Sequence, residues 1–164
     1  GHIIDYTPER YARAVEACGG PEPAAVTYFN TLALMVDALR PEVVGHFDLI
    51  RKQYPDDESL YTPKVRRAAL SALAVIRERE SILDINTGGI RKGFGRPYPA
   101  PWILDTARDM GIACCFGDDS HNIDQVGFGL DAARDYLQAH GITHIEMLEP
   151  GIAGINRRAV ALEG

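Results

Sequence analysis

Apolar residues recur along this chain in two ways. Three- and four-residue spacing marks amphipathic helices, and short solid apolar runs mark buried strands. Thr7-Pro8-Glu9-Arg10 carries a helix start, since threonine can cap free amides and proline suits the first helical position. The helix predicted there runs to Ala17 and stops before Cys18-Gly19-Gly20-Pro21. A second helix is expected from about Glu22 to Leu39, with Phe29, Leu32, Leu34, Met35, Val36 and Leu39 on its apolar face. Pro41 breaks it, and Glu42 to Phe47 reads as a short strand. Thr62-Pro63-Lys64-Val65 repeats the start signal for a helix to about Arg79, with Val65, Ala69, Leu73 and Ile76 inward. Ser81 to Asn86 is the next strand. A glycine-rich loop, Thr87 to Pro97, leads into a short helix from Pro101 to Met110. Ile112 to Phe116 is apolar throughout, as expected of a strand buried on both faces. A long helix is predicted over Asp124 to His140, closed by Gly141, and a last strand over Thr143 to Leu148. The tail from Ile152 to Leu162 carries no decisive pattern.

Strands separated by helices imply parallel βαβ units and an α/β fold. With no linker or charge block, one domain over residues 1–164 is the economical reading. A hydrophobic share of 46% against 24% charged residues excludes a disordered tail and predicts a real core. The net charge of −6 and the lack of clustered basic residues argue against nucleic acid as a partner. No apolar run approaches the roughly 20 residues of a membrane span, and the first residues lack the pattern of a signal peptide. Three cysteines are too few for a disulfide framework. Cys114 and Cys115 read as small apolar fillers, and a reducing, cytoplasmic setting is expected.

Chemistry in parallel α/β folds gathers at the carboxyl ends of strands. Three such ends here carry polar groups: Gly45-His46-Phe47-Asp48, Asp84-Ile85-Asn86-Thr87 and Phe116-Gly117-Asp118-Asp119-Ser120-His121. Asp119 and His121 are two apart, so an extended backbone would turn both to one side. A carboxylate and an imidazole converging there suit a divalent metal. The same residues also suit a turn with an exposed histidine. His46 is open in the same way between a metal ligand and a hydrogen-bonded structural histidine.

Gly45-His46-Phe47-Asp48 resembles the GHxD motif of the PHP (polymerase and histidinol phosphatase) superfamily, and Asp119-Ser120-His121 resembles its final DxH motif. The segment Asp84 to Lys92, together with Tyr98-Pro99, is similar to the histidinol-phosphate phosphatase branch. The resemblance implies the C-terminal portion of a distorted (β/α)7 TIM-like barrel with parallel strands. It implies two or three divalent metal ions (Zn, Mn or Fe) and hydrolysis of L-histidinol phosphate to L-histidinol and phosphate. His46, Asp119 and His121 match metal ligands, with Asp119 and His121 also catalytic. Arg91 would face the substrate phosphate, with Asn86 and Thr87 on the same substrate-binding loop. Asp48 and Asp118 would orient ligating imidazoles, a role Asp118 shares with capping its own turn.

Three departures accompany the resemblance. No two histidines stand two apart, so the family's N-terminal HxH motif is absent, and so is the glutamate that normally ends a following strand. Asp84 stands where relatives often carry glutamate. A complete barrel takes about 250 residues, so an incomplete PHP-like domain is expected, completed by an N-terminal segment or a second copy. His2 is open between a further ligand and part of a tag. His140 and His144 read as structural, and Tyr98 and Trp102 as loop packing. The implied partner is a small phosphorylated substrate, with neither nucleic acid nor membrane. A truncated, non-catalytic domain binding a metal or a partner, or a phosphoesterase for another ester, are the competing readings.

Overall fold

The computed structural model describes residues 4–53, 57–152 and 154–162. The chain divides into two compact units, one of helices (Gly1–Pro41 with Asp48–Arg79) and one built on a sheet (Glu42–Phe47 with Glu80–Gly164).

In the helical unit, α1 (Pro8–Ala17) starts as the sequence predicts: the Thr7 side chain accepts the Arg10 amide at 3.4 Å, and Pro8 opens the first turn. Tyr11 and Ala14 are its buried residues, and the Tyr11 hydroxyl donates to the Ile50 carbonyl at 3.2 Å. Helix α2 (Pro21–Leu39) buries Ala24, Ala25, Phe29 and Val36 and packs along α4 (Pro63–Glu78). Alanines 68, 69 and 72 of α4 are buried with Val65, Leu73 and Ile76, and such small side chains let helices approach closely. Thr62 caps α4 by accepting the Val65 amide. A 3-10 turn, Leu49–Gln53, and the single-turn helix α3 (Asp57–Leu60) come between. Asp48 belongs to this unit. Its carboxylate takes the Arg51 guanidinium at 3.0 Å, with both side chains fully buried, and the Tyr61 hydroxyl at 2.7 Å.

In the sheet unit, β1 (Val43–Val44), β2 (Ile82–Asn86) and β3 (Cys114–Gly117) run parallel in that order. Register pairs Val43 with Ile82, Leu83 with Cys114 and Asn86 with Gly117. The parallel α/β character expected from the sequence is therefore present. A closed barrel is not seen among the described residues: three parallel strands stand with a separate hairpin. Every residue of β2 is buried. β3 is buried at Cys114 but only partly from Cys115 onward. Its carboxyl half opens on a cavity, which corrects the expectation of a strand covered on both faces. β1 is also shorter than expected, because the chain turns at His46 with φ 28°.

Helix α5 (Gly88–Arg91) occupies the start of the glycine-rich segment, and α6 (Pro101–Asp109) buries Ile103, Leu104 and Ala107. The long helix expected over Asp124 to His140 is broken. A 3-10 turn, Ile123–Gln125, is followed by Gly127 and Gly129 at φ 76° and 73°, and α7 runs only from Leu130 to Ala139. Left-handed backbone at two nearby glycines ends any helical ladder. The last strand also differs. β4 (His144–Gly151) pairs antiparallel with β5 (Gly154–Ala161), from His144↔Ala161 to Gly151↔Gly154. The undecided tail is thus the second half of a hairpin. Arg157 of β5 donates to Glu42 at 2.6 Å and to the Glu80 carbonyl, which ties the hairpin to the residues leading into β1 and β2. No helix among the described residues is long and apolar enough to cross a membrane.

Candidate active site

The carboxyl ends of β1, β2 and β3 open on a cavity of about 700 Å³ within the sheet unit, with β4 as a further wall. Its polar lining includes His46, Asp84, Asn86, Asp118, Asp119 and Glu146.

Asp84 sits in the buried run of β2, where alternation sends its side chain toward the cavity. Oδ2 accepts the Asn86 amide at 2.7 Å and the His46 backbone N–H at 3.2 Å. Oδ1 is buried with no hydrogen-bond partner. Burial pushes this carboxyl above the ordinary range, against the Asn86 and His46 hydrogen bonds. Space for it exists only because residue 117 has no side chain: a Cβ on Gly117 would stand 2.1 Å from Asp84 Oδ1. His46 ends β1 in left-handed backbone, and its Nδ1 is likewise buried without a partner.

Asp119 follows β3 at φ 53°, a second non-glycine residue in left-handed backbone. Its Oδ2 takes Lys92 Nζ at 3.1 Å. Burial acts to raise this carboxyl, but the Lys92 hydrogen bond and charge, with His46 and His121, hold it below the usual range. His121 does not join the cavity lining. Its side chain is 78% exposed, with Nε2 at 3.6 Å from Asp119 Oδ1, and its backbone N–H donates to Gln125. The same-side argument fails here because Asp119 is not extended.

The residues expected to touch substrate are engaged with the protein. Arg91 donates to the carbonyl oxygens of Asp118 and of Asp119, the latter at 2.6 Å. Asn86 donates its amide N–H to Asp84, and its oxygen accepts the Gly88 N–H at 2.9 Å. Thr87 is buried and donates to the Phe128 carbonyl at 2.6 Å. Asp118 caps its own turn, accepting the Gly127 amide at 2.6 Å and the Ser120 amide at 3.1 Å, and these bonds lower its pKa. His140 is held by Asp105 at 2.8 Å against the Tyr136 ring, and His144 by Thr143. Tyr98 is buried, with Phe94 beside its ring. His2 lies outside the described residues. Two cavity residues, Asp84 and Glu146, and Lys92 beside Asp119 carry no assigned role in the sequence reading. Only Asp84 left a signal, as an acid inside an apolar strand run.

The resemblance implies metal ions, so the donor set is the test of fit. Among the described residues no group of three or more His, Cys, Asp and Glu side chains is arranged to hold a metal ion. Two buried atoms of the right kind, His46 Nδ1 and Asp84 Oδ1, nevertheless stand unpartnered on one cavity. Burying such atoms without partners is unfavourable, and each is a donor that a divalent cation accepts. These residues fit part of a divalent-ion shell.

Fold and site together define an α/β protein whose parallel strands present imidazole and carboxylate groups to one strand-end cavity. No family model matches the chain. It is similar to a Schizosaccharomyces pombe protein named probable histidinol-phosphatase, at 33% identity over 92% of this chain and 51% of that protein. The histidinol-phosphatase of Bacillus subtilis is 28% identical over 79% of this chain and 50% of its own length. A solved structure of a Listeria monocytogenes protein assigned as a histidinol phosphatase superposes with a TM-score of 0.73 and 29% identity, over 79% of this chain and 51% of that one. The chain thus spans about half the length of the relatives it matches.

Proposed function

We propose that this chain contributes the strand-end cavity of a metal-dependent phosphatase that hydrolyses L-histidinol phosphate to L-histidinol and phosphate. The observation that carries the proposal is the pair of unpartnered ligand atoms, His46 Nδ1 and Asp84 Oδ1, on the cavity. The similarity to proteins named histidinol-phosphatase supports this choice of substrate. His46, Asp84, Asp119 and His121 are assigned to two or three divalent ions (zinc, manganese or iron), with further donors from outside the described residues. Bound there, such ions supply Lewis acidity toward a phosphoryl oxygen and toward water.

The chain's own side chains do the rest. Lys92, held beside Asp119, offsets negative charge on the phosphoryl group. Glu146 lines the cavity with no ion-pair partner among the described residues, and is the carboxylate available to an ammonium group such as histidinol carries. Asn86 and Arg91 hold Asp84 and the Asp118–Asp119 turn in place.

The test is phosphate release from L-histidinol phosphate by the purified protein loaded in turn with zinc, manganese and iron(II). No release above background under any loading sinks the proposal. Release from nucleotides but not from histidinol phosphate moves it to another ester. A second reading is favoured by the incomplete donor set: a non-catalytic domain that binds a metal or a partner. Metal analysis separates the two, since that reading expects at most one ion per chain and no turnover.

A further inference from the structure

Asp119 occupies a backbone conformation that L-residues avoid, and something must hold it there. On one side the Asp118 carboxylate bridges the Ser120 and Gly127 amides. On the other stands Arg91, the last residue of α5. Its two terminal nitrogens donate to two successive carbonyl oxygens, those of Asp118 and Asp119. A planar fork reaching both oxygens fixes the peptide unit between them. The fork is itself held: the Arg91 side chain is only 18% exposed and its guanidinium lies 5.8 Å from the Phe128 ring centroid. The same helix presses on Asp119 from its other end, because a Cβ on Gly88 would meet the Asp119 Cβ at 3.2 Å. The next residue, Lys92, takes the Asp119 carboxylate. Two consecutive cations therefore hold one acidic residue: Arg91 hydrogen-bonds its main chain and stands 3.9 Å from its carboxylate, while Lys92 takes that carboxylate at 3.1 Å.

We propose that Arg91 is a positioning residue, a clamp that holds the Asp118–Asp119 peptide so that the Asp119 carboxylate faces the cavity, rather than a ligand of the substrate phosphate. The inference rests on the reading of Asp119 as a residue of the phosphatase site. It assigns the phosphate-facing charge of this turn to Lys92.

Amide hydrogen exchange of the unliganded full chain tests the clamp without any turnover. Arg91→Ala and Arg91→Lys should each speed exchange at Ser120 and Gly127 by about tenfold or more, while the β2 amides keep their protection. Methylguanidinium added to Arg91→Ala should restore protection at those two amides. In a manganese titration, Arg91→Ala should bind about tenfold or more weakly, as when an outer partner of a metal ligand is lost. Inorganic phosphate should bind the metal-saturated variant as it binds the parent. Unchanged exchange at Ser120 and Gly127 in both variants, or a loss confined to phosphate affinity, overturns the clamp. If Arg91→Ala does not fold, Arg91→Lys decides, since one ammonium cannot bridge two carbonyls as the fork does. If the parent chain binds none of manganese, zinc and iron(II), the phosphatase reading falls, while the exchange data still rule on Arg91.

Discussion

Gly117 gives the sharpest test of how the cavity is built. An alanine there needs no unusual backbone, because Gly117 is not among the positive-φ glycines. The whole effect is steric. The new Cβ would lie 2.1 Å from Asp84 Oδ1 and 2.8 Å from its Cγ, inside the 3.0 Å that real Cβ atoms essentially never cross. The strand cannot shift easily, since the Gly117 carbonyl accepts the Thr87 amide at 2.8 Å and β3 is in register with β2. The Asp84 carboxylate must therefore swing away and lose both the Asn86 amide and the His46 N–H. Two hydrogen bonds to a charged group are worth about 1.5–3 kcal/mol each. Relief of a buried carboxylate returns part of that, so Gly117→Ala should destabilise the protein by roughly 2–4 kcal/mol. Urea unfolding followed by circular dichroism measures it, and a double-mutant cycle isolates the cause. In an Asp84→Ala background the same glycine change should move stability by no more than about 0.5 kcal/mol. An equal penalty in both backgrounds would show that the strand, not the carboxylate, forbids a side chain at 117.

Other outcomes follow from the same geometry. Asp48→Ala removes the carboxylate that stands 3.0 Å from the fully buried Arg51 guanidinium. It should lower stability by about 3–5 kcal/mol in the same assay, and by less when Arg51→Met is added. Burial, and then the neighbouring Cys115, push the Cys114 thiol up to about 12 from its ordinary 9.0. The sign follows: its contribution to stability is complete below pH 9.0 and is lost as pH rises toward 12. Iodoacetamide at pH 8 should therefore label Cys114 of the folded protein about a hundredfold or more slowly than in urea. Equal rates in the two states at that pH would refute the shielding. Glu146→Gln should raise KM for histidinol phosphate about tenfold, the worth of one charged contact. KM for a phosphate ester without an amine should stay level, and an equal rise for both would remove Glu146 from amine recognition.

Much of the helical structure was legible because its signals are local. Thr7-Pro8 and Thr62-Pro63 carry a cap acceptor and a pre-set φ within two residues, and both helices begin there. The solid run Ile82–Asn86 is a strand buried along its whole length. What failed depended on backbone that side-chain patterning does not report. Apolar spacing continues through Asp124–Phe128, but Gly127 and Gly129 turn left-handed and the helix begins only at Leu130. The partner of β4 lies beyond a tight turn at Gly151–Gly154, in a tail whose exposed residues show no alternation. The site divides in the same way. His46 and Asp119 were found as strand-end residues of the right chemistry, and both line the cavity. His121 was paired with Asp119 on the assumption of an extended chain, which φ 53° at Asp119 removes. Asp84 reads from the sequence as a strand-end acid in the place of a glutamate, and nothing there shows that Gly117 makes room for it. Lys92 was masked by its neighbour Arg91, whose charge goes to carbonyl oxygens.

The left-handed backbone at His46 and Asp119 sets stability against chemistry at the same two positions. Glycine would relax each peptide and remove the functional group in one step. A search for more heat-resistant variants of this chain would be drawn toward those substitutions. An improved melting temperature gained there would be a warning that the cavity had lost the side chains it was shaped to present.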